Sequence, residues 1–539
     1  MAPERARNMK RKKVSRNHVP YTLDGTVDPR REVAMLKKVV AGIVILFVVA
    51  MAVVFLIARH MLGSENVRAT LERELSSRLG QPVAIGSANA TIFPKVTLHL
   101  RDIAIGRPVA ATLKDVQIAT GLRPLLSKRI EEAEVTLADS RLTLPLPFSL
   151  LNAAATPTAA TSSTGGITIV SVRVLALDNV EFVMGPHSLR FDMSSSLDGD
   201  QLAVKSLKAR SQITRLDATG ALTSIARLEG ALDVKADPLD LDELMAITSG
   251  LAETGVAARA PTAPAGQVPM NIRVKLAAPK GRLAGYNFTD LSTTLTVIPD
   301  HITLDPLGFR MFGGGYQGRL VANTGGKSPV LALNGQVEGL DVSELAKVAG
   351  SPGSLSGRLS GKVSLTGQGA DSQTVLRTAR GSASATIIDG KIPGLDMVRT
   401  IVLAFGKPNG APAAGSGSAF SRLAGTFAIQ DGVIRSENLM LVSRDFDLSG
   451  RGSMAIPSSR VDARASVTLS EELTSQSGTD LRRYAAQDGR VVVPANIGGT
   501  LQQPSVSLDV AAAMQRAFQN ELQRRANDFL GGLFKKKKK

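Results

Sequence analysis

The chain has 539 residues, 43% of them hydrophobic but only 4% aromatic, with no Cys, no Trp and a formal charge of +17. The lack of Cys excludes a disulfide framework and thiolate chemistry. The charge argues against a nucleic-acid surface: residues 1–38, with eleven Lys/Arg against four acids, carry +7, Lys535–Lys539 carry +5, and residues 39–534 carry only +5. Basic runs of this kind beside a bilayer attract anionic head groups. The bland alternative for the Lys tail is a solvated end.

Residues 1–38 read as a basic cytoplasmic leader. Val39–Ala58 follows as twenty apolar residues without Asp, Glu, Lys or Arg. At helical rise such a run spans about 30 Å, the hydrocarbon thickness of a bilayer. It is predicted to be a transmembrane anchor helix. The Lys/Arg excess before it predicts a single pass with the amino terminus in the cytoplasm and the bulk across the membrane. A cleaved signal peptide would carry a shorter apolar region of about 7–15 residues and a small-residue cleavage site. Here Arg59-His60-Met61-Leu62 follows instead.

Next, Ser64 to Gly80 reads as a short helix, with Val67, Leu71, Leu75 and Leu79 at i, i+4 and Gly80 as its stop. The period then changes to two. Val96-Thr97-Leu98-His99-Leu100-Arg101 alternates apolar and polar, the pattern of a half-buried strand. Small-residue stretches at 152–166, 252–268 and 407–418 read as linkers. They divide a helix and β region (64–151) from β regions at 167–251, 269–406 and 419–509. Asp431-Gly432 predicts a hairpin between apolar strands, and Asp389-Gly390 repeats the device. Leu239-Asp240-Leu241-Asp242-Glu243-Leu244 resembles Leu340-Asp341-Val342-Ser343-Glu344-Leu345, a strand end followed by a capped short helix in capping-box spacing. The last region, 510–539, reads as an amphipathic helix and a Lys tail. Phe518, Leu522, Phe529, Leu530, Leu533 and Phe534 would form its membrane-contact face. Docking on a partner, or packing on the chain's own sheet, are the alternatives.

The extended pattern amounts to about 30 strands at 10–12 residues per strand and turn. As one sheet this would run to about 140 Å at ~4.8 Å per strand. A sheet so long must roll, split into sandwiches or form a curved groove, because open sheets rarely exceed about ten strands. Its alternating apolar face must meet either its own other wall or a ligand with long apolar chains.

Chemistry-bearing motifs are sparse. The five His (His18, His60, His99, His187 and His301) lack metal-ligand spacing. Gly357–Lys362 has three residues between its glycines and Val363 where a phosphate loop needs Ser or Thr. Gly313-Gly314-Gly315 reads as a sharp turn or bulge. No catalytic residue, metal or cofactor is expected, and the chain is not expected to be an enzyme.

Several runs resemble the AsmA family. They are the basic start and single anchor, Leu71 to Gly106, Leu304 to Gly315, Leu355 to Gly369, Ile387 to Met397 and Val493 to Asp509. The resemblance covers nearly all of the chain beyond residue 38. The long basic leader and the Lys tail are less typical of the family. The resemblance implies a mainly β fold: an inner-membrane anchor helix followed by a long curved antiparallel β-sheet groove, taco-like, in the periplasm, with short capping helices. It implies a role in outer-membrane and envelope biogenesis, with membrane phospholipids as partners bound or transferred along an apolar groove. The wall candidates are Phe427, Ile429, Leu439, Leu441, Phe446 and Leu448, whose plain alternative is packing in a dry sandwich. An assembly factor that regulates protein targeting to the outer membrane, with outer-membrane or envelope assembly proteins as partners, and a structural envelope scaffold are the competing roles.

Overall fold

A computed structural model of the chain describes residues 64–512 except 92–94, 122–128, 145–167, 170, 254–269, 327, 349, 370 and 457, and also residues 515, 518 and 522. The expected anchor, Val39–Ala58, lies outside the described residues. Among the described residues no helix is long and apolar enough to cross a membrane.

The helix α1 (Ser64–Leu79) leads into β1 (Val83–Thr91), β2 (Val96–Ile105), β3 (Ala111–Thr120), β4 (Arg129–Ile130), β5 (Ala133–Ala138) and β6 (Arg141–Leu144). Next come β7 (Thr168–Ile169), β8 (Val172–Met184), β9 (His187–Asp198), β10 (Gln201–Arg210), β11 (Arg215–Ser224), β12 (Glu229–Ala236), β13 (Leu239–Asp240) and α2 (Leu241–Glu253). The middle run holds β14 (Asn271–Leu283), β15 (Tyr286–Ile298), β16 (His301–Met311), β17 (Gly314–Asn323), β18 (Val330–Asp341), α3 (Val342–Val348), β19 (Ser356–Gln368), α4 (Ser372–Arg377) and β20 (Arg380–Ile392). After α5 (Met397–Ala404) follow β21 (Ser418–Gln430), β22 (Val433–Val442), β23 (Phe446–Ala455), β24 (Arg460–Leu469), α6 (Glu471–Gln476), α7 (Thr479–Ala485), β25 (Ala486–Gln487), β26 (Arg490–Gly499) and β27 (Pro504–Leu508).

All the strands except β4 and β7 belong to one sheet. With β5 and β6 sharing a row, β12 and β13 sharing another, and β25 set aside as a flank of β26, the pairings run in chain order from β1 to β27 through 22 rows. At ~4.8 Å per row that ribbon is about 100 Å long, somewhat shorter than the sequence suggested. The expectation of an antiparallel sheet throughout needs correction. β5 and β6 pair in parallel with β8, and β12 and β13 pair in parallel with β14. A parallel neighbour requires a long crossover. The stretches expected as linkers at 152–166 and 252–268 fall within those two crossovers.

Local chemistry explains the turns. Asp431 (φ 50°) and Gly432 (φ 75°) form the two-residue turn between β21 and β22, and Phe312 (φ 51°) and Gly313 (φ 73°) turn β16 into β17. Asp389-Gly390 makes no hairpin, contrary to expectation. It sits inside β20 as a bulge, where the register against β19 shifts. A Cβ on Gly390 would meet the Phe420 ring at 2.2 Å, so the glycine gives that ring its place. Asp240 caps α2 through Oδ1, which accepts from the Glu243 N–H at 2.9 Å, and Asp341 accepts from the Ser343 N–H at 2.9 Å. The capping box is only half realised, because the Asp240 N–H donates to Thr214 Oγ1 (3.0 Å) and Glu243 points elsewhere.

The strand directions give the ribbon two unlike long edges. Six of the seven described α-helices (α1, α2, α3, α5, α6 and α7) join strands at one edge, and only α4 lies at the other, which otherwise carries tight turns. We call these the helix edge and the hairpin edge. The buried cores sit at the ribbon's two ends. One cluster packs Leu75 of α1 against β1–β8, including Leu98, Leu100, Ile103 and Ile118. The other packs Met397, Ile401 and Val402 of α5 against Phe420, Phe446, Val467 and Leu469. A small third cluster (Ala236, Leu239, Ala278 and Phe288) lies under the start of α2.

Candidate functional site

The site is a face of the sheet. Successive side chains alternate across a strand, so residues paired in register share a face from row to row. One line of partners crosses the ribbon from Leu98 through Ile118, Val135, Leu175, Ser195, Val204, Gly220 and Leu232. It continues through Val274, Leu295, Leu304, Leu320, Leu333 and Leu365 on six consecutive rows. Beyond Gly381 it reaches Ile429, Ile434 and Met454. The one hydroxyl on the line, Ser195 Oγ, donates to the Leu175 carbonyl at 2.9 Å. The opposite face is polar: Arg319, Asn334, Ser364 and Ser382 pair in register, and Ser364 Oγ donates to Asn334 at 2.6 Å.

What covers the apolar face differs along the ribbon. At the ends it is sealed by the two large clusters. In β14–β19 the leucines of the line are half-buried and belong to no buried cluster. The helix-edge half of these rows is padded by α2, by α3 and by two aromatic rings, and at the hairpin-edge corner of β19 the Val375 side chain of α4 packs over Gly367. Tyr316 stacks on Phe309 at 5.2 Å between centroids and lies over Gly318 and Gly335, where a Cβ would meet its hydroxyl at 2.5–2.6 Å. Burial holds the Tyr316 pKa above its ordinary value. Apart from that corner, the hairpin-edge half of β14–β19 is left as an uncovered apolar strip.

The six groove residues expected from the sequence all lie on this face, and the structure separates them. Leu441, Phe446 and Leu448 are buried within the α5 cluster. Phe427 and Leu439 are half-buried and Ile429 is 9% exposed, on the hairpin-edge side of the same rows. The strip in β14–β19 was not among the candidates, although the alternation that marks it stands in Ile272-Arg273-Val274-Lys275-Leu276 and in Leu331-Ala332-Leu333. Of the expected membrane-contact residues, Phe518 and Leu522 are helical and 59% and 54% exposed. Phe529, Leu530, Leu533 and Phe534 lie outside the described residues.

Carboxylates hold the edges in place. Glu243, buried at the start of α2, accepts from Ser211 Oγ (2.6 Å), Thr214 N (2.9 Å) and Ile213 N (3.1 Å) in the β10–β11 turn. Burial pushes its pKa up, but these hydrogen bonds outweigh it and leave the group below its ordinary value. Stability from Glu243 is therefore present above the ordinary Glu range and fades as pH falls through the lowered folded value. Glu243→Ala is expected to cost about 1–3 kcal/mol, because it strands buried donors. Hydrogen exchange should localise the loss to residues 211–214 and α2. At the hairpin edge, hydrogen bonds from Lys95 and Arg173 lower the Glu134 pKa. Among the described residues five buried side-chain polar atoms lack a hydrogen-bond partner, and one of them, Thr293 Oγ1, lies on the apolar face between Leu276 and Leu307. Thr293→Val keeps the shape and removes an unsatisfied hydroxyl. It should leave the protein as stable or up to about 1 kcal/mol more stable by chemical denaturation.

Two hollows beside the sheet carry several charged side chains. One of about 620 Å³ is lined by Arg310, Gln317, Gln336, Glu338 and Arg358, and another of about 480 Å³ by Lys208, Arg210, Asp217 and Lys235. Among the described residues no group of three His, Asp or Glu could hold a metal ion.

Residues 190–439, from β9 to β22, match the AsmA family. The relative named Protein AsmA, from Escherichia coli (strain K12), is 22% identical over 262 residues, which cover 48% of this chain and 41% of that protein. The match thus spans well under half of the relative's length. No solved structure matches the chain. The family region contains the whole uncovered strip.

Proposed function

Since this chain belongs to the AsmA family through residues 190–439, we propose that its uncovered apolar strip holds the acyl chains of phospholipids and serves envelope biogenesis. The observation that carries this reading is the unbroken register Val274–Leu295–Leu304–Leu320–Leu333–Leu365, half-buried with no second layer over it. Apolar side chains on successive rows, left uncovered across some 30 Å, would cost folding free energy in water unless something apolar lay on them. In this reading Val39–Ala58 anchors the chain in the inner membrane, the amino terminus is cytoplasmic and the β ribbon is periplasmic, curved as a groove around the lipid. The carboxy-terminal helix, with Phe518 and Leu522 exposed, contacts a membrane surface. The chain is a carrier and not an enzyme. Mass spectrometry of lipids bound to gently extracted full-length protein tests the reading. At least one phospholipid per chain is expected, and protein that stays folded and carries none would refute it.

A further inference from the structure

The ribbon's two long edges meet near its carboxy-terminal end. Ser351, in the loop after α3, belongs to the helix edge, whereas Ser459 and Gln502, in the β23–β24 and β26–β27 turns, belong to the hairpin edge. Gln502 Nε2 donates to Ser351 Oγ at 2.6 Å, and Ser351 Oγ lies 3.3 Å from Ser459 Oγ. Gly394, also at the helix edge, packs so closely on Pro504 that a Cβ would lie 2.7 Å from the ring. The sheet has therefore curled edge to edge around the packed α5 cluster, which closes that end. The other end is closed by α1. Its Leu75 fills the first cluster, and Ser76 Oγ and Glu72 accept the outward N–H groups of Val83 (2.9 Å) and Ile85 (2.8 Å) on the terminal strand.

Between these stops the helix edge carries α2 and α3, whereas the hairpin edge of β14–β19 is clear except at its β19 corner, where α4 sits. Strands β14–β19 have 10–13 residues, and their uncovered half is about 17–21 Å wide at ~3.3 Å per residue. That is close to one leaflet of hydrocarbon, about half of a 30 Å bilayer core. The strip fits acyl chains lying along the strands, tails toward α2 and α3 and polar ends over the tight turns.

Resting on the phospholipid reading above, we propose that lipids load and leave sideways over the hairpin edge of β14–β19, and not through either end of the ribbon. Full-length protein is loaded with phosphatidylethanolamine bearing a photoreactive group on either the acyl chain or the head group, and the labelled residues are mapped. Tail labels should fall on Leu304, Leu320 and Leu333, and head-group labels on the turns at 299–300 and 324–329. Head-group labels concentrated at 456–459 and 500–503, or spread evenly over both edges, would overturn the proposal. If neither probe reacts, the phospholipid reading itself fails, a result distinct from labels at an end. A second arm uses the absence of Cys: Ser351→Cys with Ser459→Cys should oxidise to a disulfide that locks the end. Transfer of fluorescent phosphatidylethanolamine to acceptor vesicles should then stay within two-fold of the reduced protein. A ten-fold loss on oxidation would show passage through the end, and failure to oxidise would contradict the closed end; either overturns the proposal.

Discussion

Phe446→Ala is expected to destabilise the carboxy-terminal end of the ribbon by about 3–5 kcal/mol, the range for emptying a buried aromatic site. Phe446 is 1% exposed, faces Leu469 across β23–β24, and lies in the cluster closed by Met397 and Ile401. Phe427→Ala, two rows away on the same face but half-buried, should cost only about 1 kcal/mol, because water already reaches the ring. Hydrogen exchange across β21–β24 reads both locally, which matters in a chain whose ends carry separate cores. Equal losses for the two variants would contradict the division of this face into a part buried under α5 and a half-buried part beside it.

Leu304→Asp combined with Leu333→Asp should lower bound phospholipid at least ten-fold while leaving the ribbon folded. Both leucines are half-buried on the strip, so in the lipid-free protein each carboxylate can keep most of its hydration. Against acyl chains the same charge would have to be desolvated, at a cost of several kcal/mol. A ten-fold loss needs only about 1.4 kcal/mol. Lipid content by mass spectrometry and circular dichroism on one preparation separate loss of binding from loss of fold.

Much of the ribbon is legible in the sequence because its strands alternate. Period-two patterns, Asp431-Gly432 and the caps at Asp240 and Asp341 each report a local choice, and local choices are what residue order records. The parallel junctions are not legible. Crossovers through 145–171 and 241–270 leave no mark on the strands they reposition, so only the pairing of β8 and β14 reveals them. Asp389-Gly390 misled for a tertiary reason: the Phe420 ring fills the space that glycine leaves. The groove candidates were divided for the same kind of reason. Phe427 and Phe446 look alike in sequence, and what separates them is α5, which arrives from elsewhere in the chain to cover one and not the other. The register line through Leu304, Leu320 and Leu333 is likewise a property of pairing, invisible strand by strand.

In the proposed function one face of the middle rows touches acyl chains and the other does not. Adjacent residues of β18 test it most directly, since Leu333 lies on the apolar line and Asn334 on the polar face. A photoreactive amino acid placed at each position in full-length protein loaded with phospholipid should crosslink phospholipid from position 333 and give little or none from 334. Equal crosslinking at the two positions, or none at 333 in folded protein, would rule out acyl-chain binding on this face.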